Sequence, residues 1–397
     1  DAGKQPAYAS LVPLGVTRSI DCRLCSGPAK GADLPGAAYR CSAAVIRSSG
    51  DYGPGCVASA SSGRLVLSIP PALVESLYPG RLYSAATEGF LMEAGASFRF
   101  SGHWNREQAI FEVDGAQSLG WGKGLFASFC RIRACARLHF RRMLYSWGRA
   151  GGLALALLSG SRDYLAPSLV ESFRRSGLSH VLALSGMHLS FFSSIMGGTA
   201  VRLFGRRHAF LFRLLAISLF VFFAGFSPSL FRAFLFTILL SLCGRFCVSG
   251  LDGRAVLGAV FLLHVLLRPE DLLTPAFMLS YAAIAGILFL SAPIGRLLAP
   301  ILPPAIALPL ASSAAAFVAT APLSCRLFGC VAPVGILAGI AVSPLVGLFL
   351  LLSLASLAAS LAVPALSPLC ASLMGWLYFL IDRAAALFSL VPPLTFG

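Results

Sequence analysis

Charge is what this 397-residue chain has least of, and the shortage is uneven. Only 12% of its residues are charged, against 57% hydrophobic, and beyond Arg296 the charged set is Arg326, Asp382 and Arg383. A soluble domain of that length needs far more charge on its surface, so the second half belongs in lipid. Lysine is nearly missing as well. Lys4, Lys30 and Lys123 stand against 28 arginines in a net charge of +15. Arginine forks suit phosphates, and arginine enrichment also follows from a GC-rich genome, so a polyanionic partner and an anionic membrane surface both fit. No Gly-x-x-x-x-Gly-Lys-[Ser/Thr] exists (Lys123 precedes Gly124), which excludes ATP use through a P-loop. Cys22-Arg-Leu-Cys25 has metal-like spacing but no second pair, which argues against zinc. Cys22, Cys25, Cys41 and Cys56 leave room for one disulfide if this region faces outward. The opening Asp-Ala-Gly has no methionine or signal peptide, and the apolar stretch from Tyr8 to Val16 reads as the tail of a membrane helix. An N-terminal truncation is therefore expected.

The charges that do exist are concentrated early, with 27 of the 47 in the first 150 residues. This divides the chain into a soluble domain (1–120), a basic amphipathic segment (121–150) and a membrane domain (151–397). Arg64–Ile69, Ala96–Phe100 and Ala109–Val113 have strand length and β-rich composition, between turn signals at 49–55 and 79–80. A small β-barrel is the natural solution. Tyr83, Phe98, Phe100 and Trp104 are candidate base-stacking residues, with Arg81, Arg99 and Arg106 as phosphate partners. The alternative is that the aromatics fill the barrel and the arginines are ordinary surface.

Residues 123–149 hold seven basic residues and no acid. On a helical projection Leu125, Ile132, Ala136, Phe140, Met143 and Trp147 share one stripe. Arg131, Arg133, Arg137, Arg141, Arg142 and Arg149 cover most of the other side. This predicts a helix lying in the membrane surface, apolar face in the lipid. Its arginines either anchor it to anionic lipid or, joined by Arg174 and Arg175, gather a polyanion. Leu153–Leu158 is too short to span and is expected to dip in and return. From Leu178 onward, membrane segments are expected near 178–201, 209–226, 230–248, 255–267, 273–292, 298–322, 331–352 and 366–390, several broken by Pro275, Pro309 or Pro344. Ala282–Gly286 and Gly335–Gly339 are small-residue ridges for close helix packing.

Polar residues inside these apolar runs are the candidates for function, because at membrane depth they must pair or border a wet cavity. The segment 177–192 keeps His180, Ser185 and His188, and Gly186 is placed to break the helix. Two imidazoles eight residues apart on a helix stand roughly 12 Å apart, too far to share one metal ion. They either line a pathway or hydrogen-bond neighbouring helices. Arg232, with Ser229 a turn earlier, is either a snorkelling anchor or a phosphate contact. Asp271 and Glu270 are expected to pair with such arginines. Ser280 and Tyr281 line a channel or bond across helices.

These same phrases carry a resemblance. Gly177-Leu-Ser-His180 and Leu184-Ser-Gly-Met-His188 are followed or preceded, in order, by Leu158–Arg162, Phe173–Gly177, Ser229–Ala233, Phe277–Tyr281 and Ala321–Leu323. Over roughly residues 150–350 this resembles the ComEC family of competence proteins. The resemblance implies a mainly α-helical polytopic membrane protein with an N-terminal OB-like β-barrel. It implies a channel importing transforming single-stranded DNA across the cytoplasmic membrane, barrel outward, with no cofactor or metal and no enzymatic step. A DNA receptor, a separate nuclease and a cytoplasmic motor are the implied partners. Many members carry a metallo-β-lactamase-like nuclease domain, and no His-x-His-x-Asp-His occurs here. Loop arginines 202, 206, 207, 245 and 254 fall on one side, which charge bias makes cytoplasmic. A small-molecule permease and a non-catalytic scaffold are the alternatives, and an intramembrane hydrolase using Ser185 and His188 lacks a nearby acid.

Overall fold

The computed structural model describes residues 18–25, 29–30, 39–49, 64–75, 92–105, 110–162, 164–182, 186–225, 227–245 and 252–395. They belong to two compact units, Asp1–Tyr145 and Ser146–Gly397.

Alternation builds the first unit. Strands β1 (Arg18–Leu24), β3 (Tyr39–Ser49), β4 (Arg64–Ile69), β5 (Ala96–Asn105) and β6 (Ile110–Trp121) bury alternate side chains in the core, among them Cys22 and Leu24, Cys41 and Ala43, Leu67 and Ile69, Phe98 and Phe100, Phe111 and Val113. The two-residue β2 (Ala29–Lys30) pairs with β3. The pairing closes on itself: β1 joins β3 and β5, β5 joins β6, β6 joins β4, and β4 joins β3. Only the β4–β6 seam is parallel. With the short helix α1 (Pro71–Glu75) between β4 and β5, this is an OB-like barrel. Gly102 sits at a register shift in β5, where an added Cβ would stand 1.9 Å from the carbonyl oxygen of Glu112.

Helix α2 (Leu125–Tyr145) is counted with the barrel. It turns Cys130, Ala134, Leu138, Arg141 and Leu144 inward at helical spacing, with Trp121 packed on Ala134 and Leu138. Its docked face is therefore not the stripe read from the sequence. Leu125 and Ile132 of that stripe are exposed, together with Phe126 and Phe129, while Phe140 and Met143 are half-buried. Trp147 and Arg149 lie beyond the end of the helix.

The second unit is helical and multi-pass. Four helices are long and apolar enough to cross a bilayer: Pro275–Leu298, Pro304–Phe328, Gly335–Ala362 and Pro364–Ser389. Phe210–Ala224, Pro228–Cys243 and Gly253–Leu267 are apolar but shorter. At 1.5 Å per residue such helices reach only about 23 Å. Of the segment expected at 178–201, Ser179–Leu182 and the residues from Gly186 onward are helical, and residues 183–185 lie outside the described residues. Pro275 opens its helix at the first turn behind the Thr274 cap instead of breaking one, whereas Pro309 and Pro344 lie inside helices. Gly286 is a ridge residue as expected: an added Cβ would stand 2.5 Å from the Ala315 oxygen and from the Ala319 Cβ. The short run around Leu153 is a twelve-residue helix, Gly148–Ser159, buried at every position from Ala150 onward and closed by Gly160 in the left-handed conformation.

We continue the numbering as α3 (Gly148–Ser159), α4 (Pro167–Arg175), α5 (Ser179–Leu182), α6 (Gly186–Ala224, kinked at Gly205), α7 (Pro228–Arg245), α8 (Gly253–Leu267), α9 (Pro275–Leu298), α10 (Pro304–Phe328), α11 (Gly335–Ala362) and α12 (Ser367–Ser389).

Candidate functional site

Three of the seven pathway candidates come together. Arg232, near the start of α7 and 6% exposed, donates from Nε to Ser280 Oγ on α9 at 2.8 Å. Its Cζ lies 5.9 Å from the centre of the Tyr281 ring. Gly186, at the start of α6, brings its backbone close: an added Cβ would lie 3.9 Å from Arg232 Nη2 and 3.4 Å from Ala233 Cβ. Ser280 thus bonds across helices, the second of the two roles open to it. Among the described residues, no carboxylate lies within ion-pair distance of Arg232. A guanidinium stays charged even when buried, so this arrangement is complementary to an anion.

Beside it stands a group the sequence reading passed over. His264 of α8 is fully buried, with Nε2 3.2 Å from Asp271 Oδ2 and Nδ1 3.1 Å from the Tyr281 hydroxyl. Phe231 and Phe277 meet its ring edge-on at 5.0 and 4.9 Å. The expected pairing of Asp271 with an arginine is present, but to Arg268 (Nη1, 3.4 Å), which also meets Glu270 at 3.5 Å. A histidine in an apolar helix, seven residues before an acid and seventeen before a tyrosine, was the available signal.

The remaining pathway candidates are dispersed. His188 is buried beside an apolar cavity of about 10 Å³, lined by Leu158, Phe192, Phe220 and Leu350 among others. That is room for about one water molecule. His180 is exposed on α5, its Nδ1 3.2 Å from the Gly177 carbonyl oxygen. His180 lies in Ser179–Leu182 and His188 in α6, with residues 183–185 between them outside the described residues. Ser185 lies outside the described residues, and Ser229 is half-buried in the first turn of α7. Among the described residues no three histidine, cysteine or acidic side chains converge as metal ligands.

The basic candidates divide by environment. Arg137 and Arg141 point inward to the buried Glu93, at 3.5 and 2.9 Å. Arg133 and Arg142 are half-buried, and burial pulls the Arg133 pKa down. Arg131 is exposed. Arg174 and Arg175 are exposed at the end of α4 and share Glu171, which Arg174 grips with two 2.8 Å hydrogen bonds that pull its carboxyl pKa down. On the barrel, Phe98 and Phe100 are core residues stacked 5.7 Å apart, so they present no face to a base. Arg99 is exposed and forks onto Asp21 at 2.7 and 3.0 Å. Tyr83, Arg81 and Arg106 lie outside the described residues, as does the Trp104 side chain. Cys22 and Cys25 are free thiols, Cys41 is buried, and Cys56 lies outside the described residues.

Comparison with known proteins gives these features a context. The chain is 27% identical over 132 residues to ComE operon protein 3 of Bacillus subtilis (strain 168). That stretch is 33% of this chain and 17% of the length of the relative. No solved structure matches. The profile of the Competence family, described as competence protein, matches residues 157–396. Those residues include all four membrane-length helices and the whole cluster around Arg232, His264 and Asp271; by a match over more than half of its length, the chain belongs to the competence protein family.

Proposed function

We propose that this protein is a non-enzymatic membrane channel for single-stranded transforming DNA, importing it across the cytoplasmic membrane during natural competence. The observation that carries the reading is Arg232: a buried guanidinium between helices, without a carboxylate partner among the described residues. A polyanion is the cargo such a group suits, and the competence family supplies the setting. Gly186 and Ser280 border the same point, and Ser229, Ser185, His188 and His180 are proposed to extend the pathway from it. Arg131, Arg133 and Arg142 on α2 and, separately, Arg174 and Arg175 on α4 are proposed to gather the strand. Arg137 and Arg141, held by Glu93, act more through α2 placement than through direct contact.

The work is positioning and charge compensation, not bond-making. The cavity at His188 admits about one water, so conduction requires helices around it to separate. The exposed apolar start of α2 is proposed to rest in the bilayer surface, with the barrel outside the cell. A DNA receptor would deliver the strand, a separate nuclease would remove its complement, and a cytoplasmic motor would pull.

The test is genetic. In a transformable host whose own channel gene is deleted, this chain, expressed with whatever flanking coding sequence it has, should restore uptake of fluorescent DNA into the cytoplasm. The Arg232→Met variant should reduce it at least tenfold at equal membrane abundance. Unchanged DNA import alongside altered solute uptake would favour a permease instead.

A further inference from the structure

The imidazole of His264 has partners suited to both of its protonation states. In the neutral form, Nε2–H donates to Asp271 Oδ2 at 3.2 Å and Nδ1 accepts from the Tyr281 hydroxyl at 3.1 Å. In the cationic form, both nitrogens donate, and the Tyr281 hydroxyl needs another acceptor. The carbonyl oxygen of Val260 stands 3.4 Å from that hydroxyl. A proton can therefore be added at Nδ1 and the chain reversed, with every polar group still satisfied and no helix displaced. Few fully buried histidines have this provision.

The charged groups around the ring decide what the proton does. From the end of its own helix comes Arg268, and from the short turn after it Asp271, with Glu270 outside and exposed. From α9 come Tyr281 and, beside it, Ser280; from α7 comes Arg232. Among the described residues Asp271 is the carboxylate that touches the imidazole, and Arg268 already shares it. By sign alone, the two cations oppose a further positive charge on the ring and Asp271 favours one. An anion placed on Arg232 would cancel one of the opposing charges and favour the proton.

We propose that Arg232 and His264 form a proton-linked oxyanion site, in which an anion of the phosphate class binds the guanidinium and a proton binds His264 with it. The site rests on the reading of Arg232 given above and adds a second ligand to it. Linkage makes the effect mutual: low pH tightens the anion, and the anion draws in a proton. Arg232 and Arg268 are matched in charge by Asp271 and Glu270, so a proton on His264 leaves one positive charge in excess, which a bound monoanion balances. For a phosphodiester strand this gives a hold that depends on pH at one point of the path and is indifferent to base sequence.

The experiment uses the full chain in nanodiscs with inorganic pyrophosphate, whose small size separates this site from broader basic surfaces. Calorimetry at pH 6.5 in two buffers of different ionisation enthalpy counts protons taken up on binding. The wild type should take up a measurable fraction of one proton, and affinity should rise about tenfold from pH 8 to pH 5.5, within the range of coupled sites. Arg232→Met should abolish binding at every pH. His264→Gln should keep binding but lose both the proton uptake and the pH slope. Zero proton uptake by the wild type, which needs no variant to fold, would overturn the proposal. So would a His264→Gln slope equal to that of the wild type. Failure of DNA import in the deleted host would sink the channel reading while leaving this pyrophosphate result standing, so the two can be told apart.

Discussion

At Arg232, burial and charge are in direct opposition, and among the described residues the Ser280 hydroxyl is the hydrogen-bond acceptor that meets it. Residues such as this were legible in the sequence because a charge inside an apolar run has few permitted explanations. His264 was not, because nothing in Leu263, Val265 or Leu266 marks its ring as facing Asp271 and not lipid; that depends on how α8 turns against α9. The barrel cysteines show the same contrast. Burial pushes the Cys22 thiol pKa up to about 12, whereas Cys25 is exposed. At pH 8, iodoacetamide should label Cys25 within minutes and leave Cys22 unmodified until denaturant is added, as read by peptide mass spectrometry. Rapid native labelling of Cys22 would contradict the barrel interior described above. Gly102 is equally specific. Gly102→Ala drives a methyl group into the Glu112 carbonyl and should destabilise the N-terminal unit by about 2 kcal/mol or more, measured by urea unfolding.

Among the elements, the strands and the barrel they form followed from alternation and turn residues. The orientation of α2 did not. That helix has two apolar faces: Cys130, Ala134, Leu138 and Leu144 on one, Leu125, Phe129 and Ile132 on the other. Periodicity identifies both without saying which one docks. The deciding contact is Glu93, far away in sequence and buried against Arg137 and Arg141. Replacing Glu93 by alanine leaves two inward arginines without their carboxylate. It should lower stability by about 3–5 kcal/mol, visible as a fall in the melting temperature of the N-terminal unit. Arg141→Met paired with Glu93→Leu should recover much of that loss. In the membrane unit, Gly286→Leu should force α9 and α10 apart and lower thermal stability in detergent by about 1–3 kcal/mol or more.

On the scale of the whole molecule, composition alone separated a charged first part from a lipid-soluble second part, and the compact units divide near there, at Tyr145. Net charge of +15 has one consequence that can be measured directly. If the cargo is a nucleic-acid strand, the affinity of the full chain for an oligothymidylate should fall linearly on logarithmic axes as salt rises. Each phosphate neutralised contributes a slope of about −0.7. A salt-independent affinity would remove the polyanion from consideration. The enclosed helix Gly148–Ser159 has a consequence of another kind. It is packed against α11 and α12, and Trp147 Nε1 donates to Ser367 Oγ at 3.3 Å across 220 residues of chain. The ribosome therefore delivers this helix well before the walls of its socket have been made. Until α12 has been made, its apolar surface must be sheltered by lipid, by an insertase or by a chaperone, and the unit can close around it only after that helix is in place.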